Sequence, residues 1–283
     1  MSNLRKLGLL LLALVMAVVV LGPVGCSKKT TTTTARQIKS VDDLKSGDKI
    51  GVQSGTTGEE WTKTNLAPKG IVVVPYDDVI LAFSALQAGD VIGVINDLPI
   101  SQDVVKDETR GLVIVQEIKT DETYGFAFNK ANNSLRDAVN WGLAQVIADG
   151  GYDTVYEKWF GAKPLSMPTQ EVTVAAKPAT IKTITPGKIV AGSDTAFPPF
   201  ENVEGADIVG FDVDLLGAIG QKIGMTVQFK SFKFDALITG VQAGTEFDII
   251  ASGMTITAER KQSVDFSNPY INSNQSLAVK KVQ

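Results

Sequence analysis

The chain of 283 residues is 44% hydrophobic and 20% charged, a globular composition in a chain long enough for two domains with separate cores. Its formal net charge of −4 provides no basic field for the phosphates of nucleic acid, which we exclude as a partner. With no histidine and one cysteine, the chain excludes histidine-based triads, histidine-ligated metals and internal disulfides. We expect no metal and no cofactor, so the chemistry rests on carboxylates, Arg, Lys, hydroxyl groups and the backbone.

The N-terminus predicts an exported protein. Two basic residues precede an uncharged apolar run, residues 7–21, which suits a signal peptide and is shorter than the roughly 20 residues of a membrane-spanning helix. The stretch "GPVGC" ends at Cys26 and resembles the cleavage site of lipoproteins, although Pro23 stands where leucine is usual. Residues 1–26 are therefore predicted to be a signal peptide, with acylation of Cys26. An ordinary cleavage site with an incidental cysteine is the alternative.

A polar segment follows the predicted cleavage site. Residues 27–37 include "SKKTTTTTAR" and have no large apolar side chain to anchor them in a core. We expect a flexible tether. It would hold the protein at the cell envelope, in the periplasm or at the outer face of the cytoplasmic membrane, through the lipid on Cys26.

From Ile38 onward, short apolar strands alternate with amphipathic helices. The predicted strands are residues 49–53, 71–76, 91–96 and 112–118, and the predicted helices start at Thr57, span 77–89 and follow Pro99. Continuous apolar runs between helices indicate a parallel sheet that is covered on both faces. We assign residues 38–121 to one α/β lobe, the smaller of two.

Two helices and a proline-rich segment separate this lobe from the rest. The first helix places four apolar side chains on one face, and the second ends at Gly161. The four are Leu135, Val139, Leu143 and Val146. We assign residues 122–163 to a hinge crossing and to helices that pack on the larger lobe, and residues 164–187 to a linker.

Residues 188–283 repeat the α/β pattern and are predicted to be the remainder of the larger lobe. The predicted elements are the strand "KIVAGSD", the helix "DVDLLGAIGQKIG", the strand "TVQFKSF", the helix "FDALITGVQAG", the strand "FDIIASG", the helix "TAERKQSVD" and the final strand "SLAVK". The fold class is thus α/β, with two Rossmann-like parallel-sheet lobes joined at a hinge. Ligands bind outside the carboxyl ends of such strands, which predicts a cleft between the lobes.

Five motifs carry a family resemblance. They are "GSDTAFPPFE" (192–201), "IVGFDVDL" (208–215), "SGMTITAERKQSVDFSNPY" (252–270), "VQSGTTGE" (52–59) and "INDLP" (95–99). Together they resemble the periplasmic polar amino-acid binding proteins of ABC importers, which have the type II periplasmic binding fold. The resemblance implies a monomeric, non-enzymatic protein that binds a free L-amino acid and delivers it to a membrane permease.

The order of these motifs differs from that of the family. There, "GSDTAFPPFE" lies near the mature N-terminus, and a segment like "SLAVKK" runs directly into one like "IKSVDDLKSG". The chain therefore looks like a circular permutation, with the old termini joined through residues 162–187. We expect "SLAVK" to be a severed hinge strand that pairs beside "YGFAF", with Leu277 and Val279 packed inward. Residues 120–126 would then be the one covalent link between the lobes.

A zwitterionic ligand needs a cation for its carboxylate, and Arg260 offers a planar fork of donors in the first turn of a predicted helix. The alternative is a surface arginine paired with Glu259 or Asp265. The resemblance implies that further groups contribute beside it: Ser252, Gly253 and Thr255 from the same motif, and Thr56 and Thr57 from the other lobe. Thr57 is also a candidate N-cap, with Glu60 completing a capping box.

The resemblance makes Asp97, with Asn96 beside it, the acceptor for the ligand's ammonium group. The alternative is that Asp97 caps the helix near Pro99. Phe197 and Phe234 correspond to aromatic walls around the ligand's side chain, with core packing as the alternative. Arg260 and Asp97 come from opposite lobes, so closure of the lobes around the ligand is the implied mechanism.

Asp194 would face the distal end of the ligand. Glutamine-binding relatives typically have a lysine where this chain has Gln53, so the carboxylate of Asp194 is left unbalanced. A basic amino acid, arginine above all, is favoured, with glutamine next. Two alternatives stay open: a periplasmic dehydratase of cyclohexadienyl acids, with Asp194 or Glu201 as general acid, and a ligand-sensing module without transport.

Overall fold

The structure, a computed structural model, describes residues 36–164, 167–168 and 176–281. The predicted signal peptide, Cys26 and nearly all of the predicted tether lie outside these residues. Within the described ranges, no helix combines the length and the apolar character needed to cross a membrane.

The described residues form eight α-helices in alternation with strands. The helices are α1 Thr57–Asn65, α2 Val79–Ala88, α3 Leu98–Lys106, α4 Asn133–Ala148, α5 Gly151–Phe160, α6 Phe211–Ile223, α7 Leu237–Ala243 and α8 Arg260–Ser263. The predicted apolar face of α4 is confirmed, because its four side chains are at most 2% exposed. α5 ends as predicted, with Gly161 in the left-handed conformation at φ +75°.

Thirteen strands lie in the same described part of the chain. They are β1 Lys49–Gln53, β2 Val72–Tyr76, β3 Gly93–Asp97, β4 Leu112–Tyr124, β5 Ala127–Phe128, β6 Lys188–Ser193, β7 Ala196–Phe197, β8 Glu201–Glu204, β9 Asp207–Val209, β10 Thr226–Ser231, β11 Ile249–Ile250, β12 Asp265–Phe266 and β13 Ile271–Lys280.

Two five-stranded sheets form the cores of the two lobes. The smaller lobe has the strand order β2-β1-β3-β13-β4, and the larger lobe has the order β10-β6-β11-β5-β12. The predicted parallel pairing is confirmed for β1 with β2 and β3, and for β6 with β10 and β11. The remaining strands pair antiparallel, so both sheets are mixed.

The motif region after β6 differs from the prediction. β7, β8 and β9 form a small antiparallel sheet between residues 196 and 209, which the sequence patterns did not predict. The predicted strand 247–253 and helix 257–265 are reduced to β11 and α8. Both elements are shorter than predicted because the chain leaves the sheet as a loop between β11 and α8, where Gly253 adopts φ +47°.

The placement of the final strand contradicts the prediction for "SLAVK". β13 pairs antiparallel with β3 and with β4, with Leu277 opposite Gln116. It therefore belongs to the sheet of the smaller lobe, and its residues 276–280, "SLAVK", pair with residues 112–117 and not with "YGFAF". Leu277 (0% exposed) and Val279 (5%) do pack inward, as predicted, but into the core of the smaller lobe. Residues 275–279 are all buried because neighbouring strands lie on both sides.

Both β4 and β13 pass from one lobe to the other, so residues 120–126 are not the one covalent link that we predicted. The pairing of these two strands is interrupted between Ser273 and Gln275. At the interruption, Asn274 Oδ1 accepts hydrogen bonds from the backbone nitrogens of Thr120 (3.0 Å) and Asp121 (2.9 Å). Asp121 has φ +50°, which is uncommon outside glycine. This irregular segment lies in the predicted hinge crossing.

The described part of the predicted linker lies against α4. Lys182 accepts a hydrogen bond from Asn132 Nδ2 at its carbonyl (3.1 Å) and donates one from its backbone nitrogen to Ser134 Oγ (3.1 Å). The backbone nitrogen of Ile184 donates to Asp248 Oδ1 at 2.6 Å. The segment is thus held on the larger lobe before it enters β6.

Candidate functional site

The carboxyl ends of the parallel strands meet between the lobes. Gln53 ends β1 and Asp97 ends β3 in the smaller lobe, while Asp194 follows β6 in the larger lobe. The lobes are in contact here, because Gln53 Nε2 donates a hydrogen bond to Asp194 Oδ2. All three side chains are at most 5% exposed. The structure therefore has the closed arrangement.

Arg260 lies at the start of α8 and spans the two lobes. Its Nη1 donates to the carbonyl of Thr255 (2.9 Å) in its own lobe, and its Nη2 donates to the carbonyl of Gly55 (3.0 Å) in the other. The guanidinium group stacks over Phe234, 5.4 Å from the ring centre. The surface pairing considered for Arg260 is not made, since Asp265 binds Arg136 at 2.8 Å instead.

Asp97 stands at the N-cap position of α3, but its side chain makes no capping hydrogen bond. Its carboxylate accepts hydrogen bonds from the hydroxyl of Tyr124 and from Gln275 Nε2, the latter at 2.5 Å. Burial, and then the charge of Glu122, raise the pKa of Asp97 to about 7. The carboxylate therefore lies buried among Tyr124, Gln275 and Glu122, where a cation would hold it ionised.

Glu122, on β4, is a site residue that the sequence reasoning missed. Its Oε2 accepts hydrogen bonds from the hydroxyls of Thr57 and Thr255, each at 2.7 Å, and its Oε1 accepts one from Gln275 Nε2 at 3.0 Å. Thr57 and Thr255, which were predicted to contact the ligand, thus donate hydrogen bonds to a carboxylate from the predicted hinge crossing. The charged stretch "TDET" offered no signal beyond its place in that crossing.

The distal end of the cleft contains Asp194, Gln53 and Ser252. The backbone nitrogen of Asp194 donates to Ser252 Oγ at 2.9 Å, so Ser252 positions the turn that carries the carboxylate. Burial raises the pKa of Asp194 to about 6. Gln53 Oε1 is buried and has no hydrogen-bond partner among the described residues.

Phe197 (5% exposed) and Phe234 (7%) are both buried at the cleft. Phe197 packs against Gly253, where an added Cβ atom would lie 2.8 Å from Phe197 Cε1. Glycine at residue 253 is thus required both by the left-handed backbone and by the contact with the ring.

Two predicted site residues have mainly structural contacts. Thr56, and not Thr57, caps α1, because its Oγ1 accepts a hydrogen bond from the backbone nitrogen of Glu59 at 3.1 Å. The predicted capping box of Thr57 with Glu60 is therefore wrong, and Glu59 Oε2 accepts a hydrogen bond from the backbone nitrogen of Gly55 at 2.8 Å. Asn96 is 2% exposed, and its carbonyl accepts a hydrogen bond from Ser276 Oγ at 2.9 Å, which ties β3 to β13.

A cavity of about 450 Å³ lies at the mouth of the cleft. It is lined by residues of α1 and α8 and their flanks: Gly55, Thr56, Thr57, Glu59, Glu60, Lys63, Ile238, Thr257, Glu259, Arg260 and Ser263. Asp97 and Asp194 do not line this cavity and are buried deeper. Of the three charged residues predicted for the site, Arg260 is thus the one that lines the solvent-accessible cavity.

Two carboxyl groups are fully buried beneath the site in the larger lobe. Glu201 Oε1 accepts a hydrogen bond from Ser252 Oγ at 2.8 Å, and Asp212 Oδ2 accepts bonds from the backbone nitrogen of Gly253 (2.9 Å) and from the hydroxyl of Tyr270 (2.8 Å). Burial, and then the charge of Asp212, raise the pKa of Glu201 well above its ordinary value. Burial raises the pKa of Asp212 to about 7.

Comparison with known proteins places this architecture in a family. Residues 27–162 and 189–283 match the bacterial extracellular solute-binding proteins, family 3. The chain belongs to this family, and its two α/β lobes have the type II periplasmic binding fold.

Individual relatives match shorter parts of the chain. The arginine-binding extracellular protein of Bacillus subtilis (strain 168) is 40% identical over 94 residues, 33% of this chain and 36% of that protein. The L-cystine-binding protein of Escherichia coli (strain K12) is 37% identical over 125 residues, 44% of this chain and 46% of that protein. The chain thus spans less than half the length of these relatives. A solved ancestral arginine-binding protein bound to arginine is 45% identical, covers 30% of this chain and 38% of its own, and has a TM-score of 0.29.

Proposed function

We propose that this protein captures a free polar amino acid between its closing lobes and delivers it to an ABC importer. The observation that carries the proposal is the placement of Arg260 and Asp97, on opposite lobes, at one closed cleft. Arg260 binds the ligand's carboxylate and Asp97 its ammonium group. Both charges lose water and gain a partner only when the lobes meet around the ligand, which couples binding to closure.

Arginine or another basic amino acid is the preferred ligand, with glutamine next. The distal end offers acceptors in excess, because Asp194 is buried and Gln53 Oε1 has no partner among the described residues. A guanidinium group carries five N–H donors and a positive charge, so it satisfies both side chains. An aliphatic side chain would leave them unpaired. The names of relatives that bind arginine agree with this choice.

The dehydratase alternative is disfavoured by the position of Glu201. That carboxyl group is 0% exposed and accepts a hydrogen bond from Ser252, so it cannot reach a leaving group in the cleft. Asp194, the other candidate general acid, accepts a hydrogen bond from Gln53 across the cleft and is assigned to the ligand's side chain. We therefore propose a binding protein and not an enzyme. It acts outside the cytoplasm as a monomer, with the lipid on Cys26 as its membrane anchor.

The chain order is a proposed circular permutation of the family. Support comes from the two ends of the described fold, which share one hydrophobic cluster containing Ile38, Leu277 and Val279. The backbone nitrogen of Val41 donates to Gln116 Oε1 at 2.8 Å, and Gln116 is the register partner of Leu277. A variant that joins Lys281 to Ile38 and opens the chain within residues 164–187 should fold and bind the same amino acid. Failure to fold would overturn this proposal.

Calorimetry and a thermal-shift screen with the twenty amino acids test the function. We expect the largest stabilisation with L-arginine or L-lysine, followed by L-glutamine. Stabilisation by none of the twenty would overturn the proposal, and best stabilisation by leucine or glutamate would overturn the basic preference. The mass of an amino acid that co-purifies with the protein gives an independent answer.

A further inference from the structure

The two strands that cross between the lobes each place a polar side chain against Asp97. Glu122 comes from β4 and Gln275 from β13. Gln275 Nε2 lies 2.5 Å from Asp97 Oδ1, 3.0 Å from Glu122 Oε1 and 3.3 Å from Thr57 Oγ1. An amide nitrogen has two N–H donors, whereas these acceptors number three. A primary ammonium group has three N–H donors and matches the set.

Gln275 itself presents a further acceptor. Its Oε1 is buried and has no hydrogen-bond partner among the described residues, and the side chain is 0% exposed. A buried acceptor without a donor is costly in free energy. Gly58 approaches this oxygen so closely that a Cβ atom there would lie 2.8 Å from it. The amide is therefore confined between α1 and the two carboxylates.

The charge at this point is also unbalanced. The ion pairs of the described residues include neither Asp97 nor Glu122. Arg260 contributes positive charge nearby, but its two Nη atoms donate to backbone carbonyls. Two carboxylates that contact one nitrogen favour a cation between them.

We propose that Glu122 and Gln275 complete, with Asp97, the subsite for the ligand's α-ammonium group. This inference rests on the proposed function and adds two residues to it. Because the three side chains come from β3 and from both crossing strands, one ammonium group contacts the smaller lobe and both hinge strands at once. Ammonium binding thereby stabilises the hinge in its closed arrangement, and the subsite selects a primary amine.

The test compares L-arginine with 5-guanidinopentanoic acid, which lacks the α-amine, by calorimetry and thermal shift at up to millimolar concentrations. Glu122→Gln keeps the size of the side chain and removes its charge. It should weaken L-arginine binding about 10-fold or more and leave binding of the analogue within about 2-fold. Glu108→Gln, an exposed change just before the same strand, is the control and should alter neither.

A double-mutant cycle gives a second, independent readout with L-arginine alone. If Glu122 and Asp97 bind the same ammonium group, the losses caused by Glu122→Gln and Asp97→Asn should not add. Additive losses, or equal weakening of both ligands by Glu122→Gln, would overturn the inference and make Glu122 a residue of the hinge alone. A wild-type protein that binds none of L-arginine, L-lysine and L-glutamine would instead overturn the proposed function.

Discussion

The side-chain amide of Gln53 donates a hydrogen bond to the carboxylate of Asp194, and the two residues belong to opposite lobes. This contact joins the two lobes at the distal end of the cleft, and its donor is a neutral amide. Asp194 is 4% exposed, so its charge depends on what the cleft binds.

Replacement of Asp194 should change selectivity as well as affinity. Asp194→Asn removes the negative charge and should weaken L-arginine binding by about 10-fold or more, because a hydrogen bond to a charged group is lost. L-glutamine should lose less, since an amide can pair with asparagine. Calorimetry with both ligands measures the difference. Asp207→Asn, at an exposed position of β9, is the matched control, and equal losses for both ligands would contradict the assignment.

Removal of Arg260 should reduce affinity for every amino acid that binds. Arg260→Ala deletes the cation for the carboxylate and leaves that anion unpaired, which costs on the order of 2 to 5 kcal/mol, or roughly 30-fold or more in Kd. Lys261→Ala changes the exposed neighbouring cation and should have no such effect. Wild-type affinity in Arg260→Ala would show that the carboxylate binds elsewhere.

The free energy of unfolding of the ligand-free protein should fall between pH 5 and pH 8. Burial raises the pKa of Asp97 and Asp212 to about 7 and that of Glu201 well above its ordinary value. A carboxyl group with a raised pKa holds its proton more tightly in the folded chain than in the unfolded chain. The protonated group therefore adds to the free energy of unfolding at low pH, and this addition is lost as pH rises through the raised pKa. The lowered pKa values of Asp107 and Asp149 act in the opposite direction, but at more acidic pH. Circular dichroism should give a Tm at least about 4 °C lower at pH 8.

Glu201→Gln should reduce that pH dependence. Glu201 Oε2 and Asp212 Oδ1 are both buried without a partner among the described residues, and the charge of Asp212 opposes ionisation of Glu201. Glutamine is neutral at every pH and can donate an N–H, so the variant needs no bound proton at residue 201. Glu204→Gln, exposed on the same strand β8, is the control. A full pH-dependent fall of Tm in Glu201→Gln would contradict this account.

Leu277→Ala should destabilise the smaller lobe by about 2 to 5 kcal/mol, because it removes buried apolar atoms from a strand with neighbours on both sides. Urea unfolding measures the change, and Leu81→Ala, at a side chain that is 48% exposed, is the control. Deletion of residues 276–283 should abolish cooperative unfolding of that lobe. A truncated protein that folds and binds its amino acid as the full chain does would refute the central placement of β13.

Much of the fold was predictable because it depends on local pattern. The apolar runs of β1 and β6 and the one-sided apolar face of α4 have the periods of a buried strand and an amphipathic helix, and each formed where the pattern indicated. The site predictions at Asp97 and Arg260 depended on motif resemblance. The structure brings both residues to the cleft, while their contacts with a ligand stay predictions.

The sequence alone predicts that residues 276–279 form a buried strand, since such an apolar run is costly to leave in water. It could not determine which strands lie beside it, because a short apolar run fits any open position in either sheet with the same side-chain alternation. That choice was decided by the pairing of β13 with β3 and β4. The same pairing brought Gln275 and Glu122 to Asp97, although Gln275 is 178 residues and Glu122 is 25 residues away from Asp97 in the chain. A polar contact over such separations has no local pattern, so it arises only when the tertiary structure brings the side chains together.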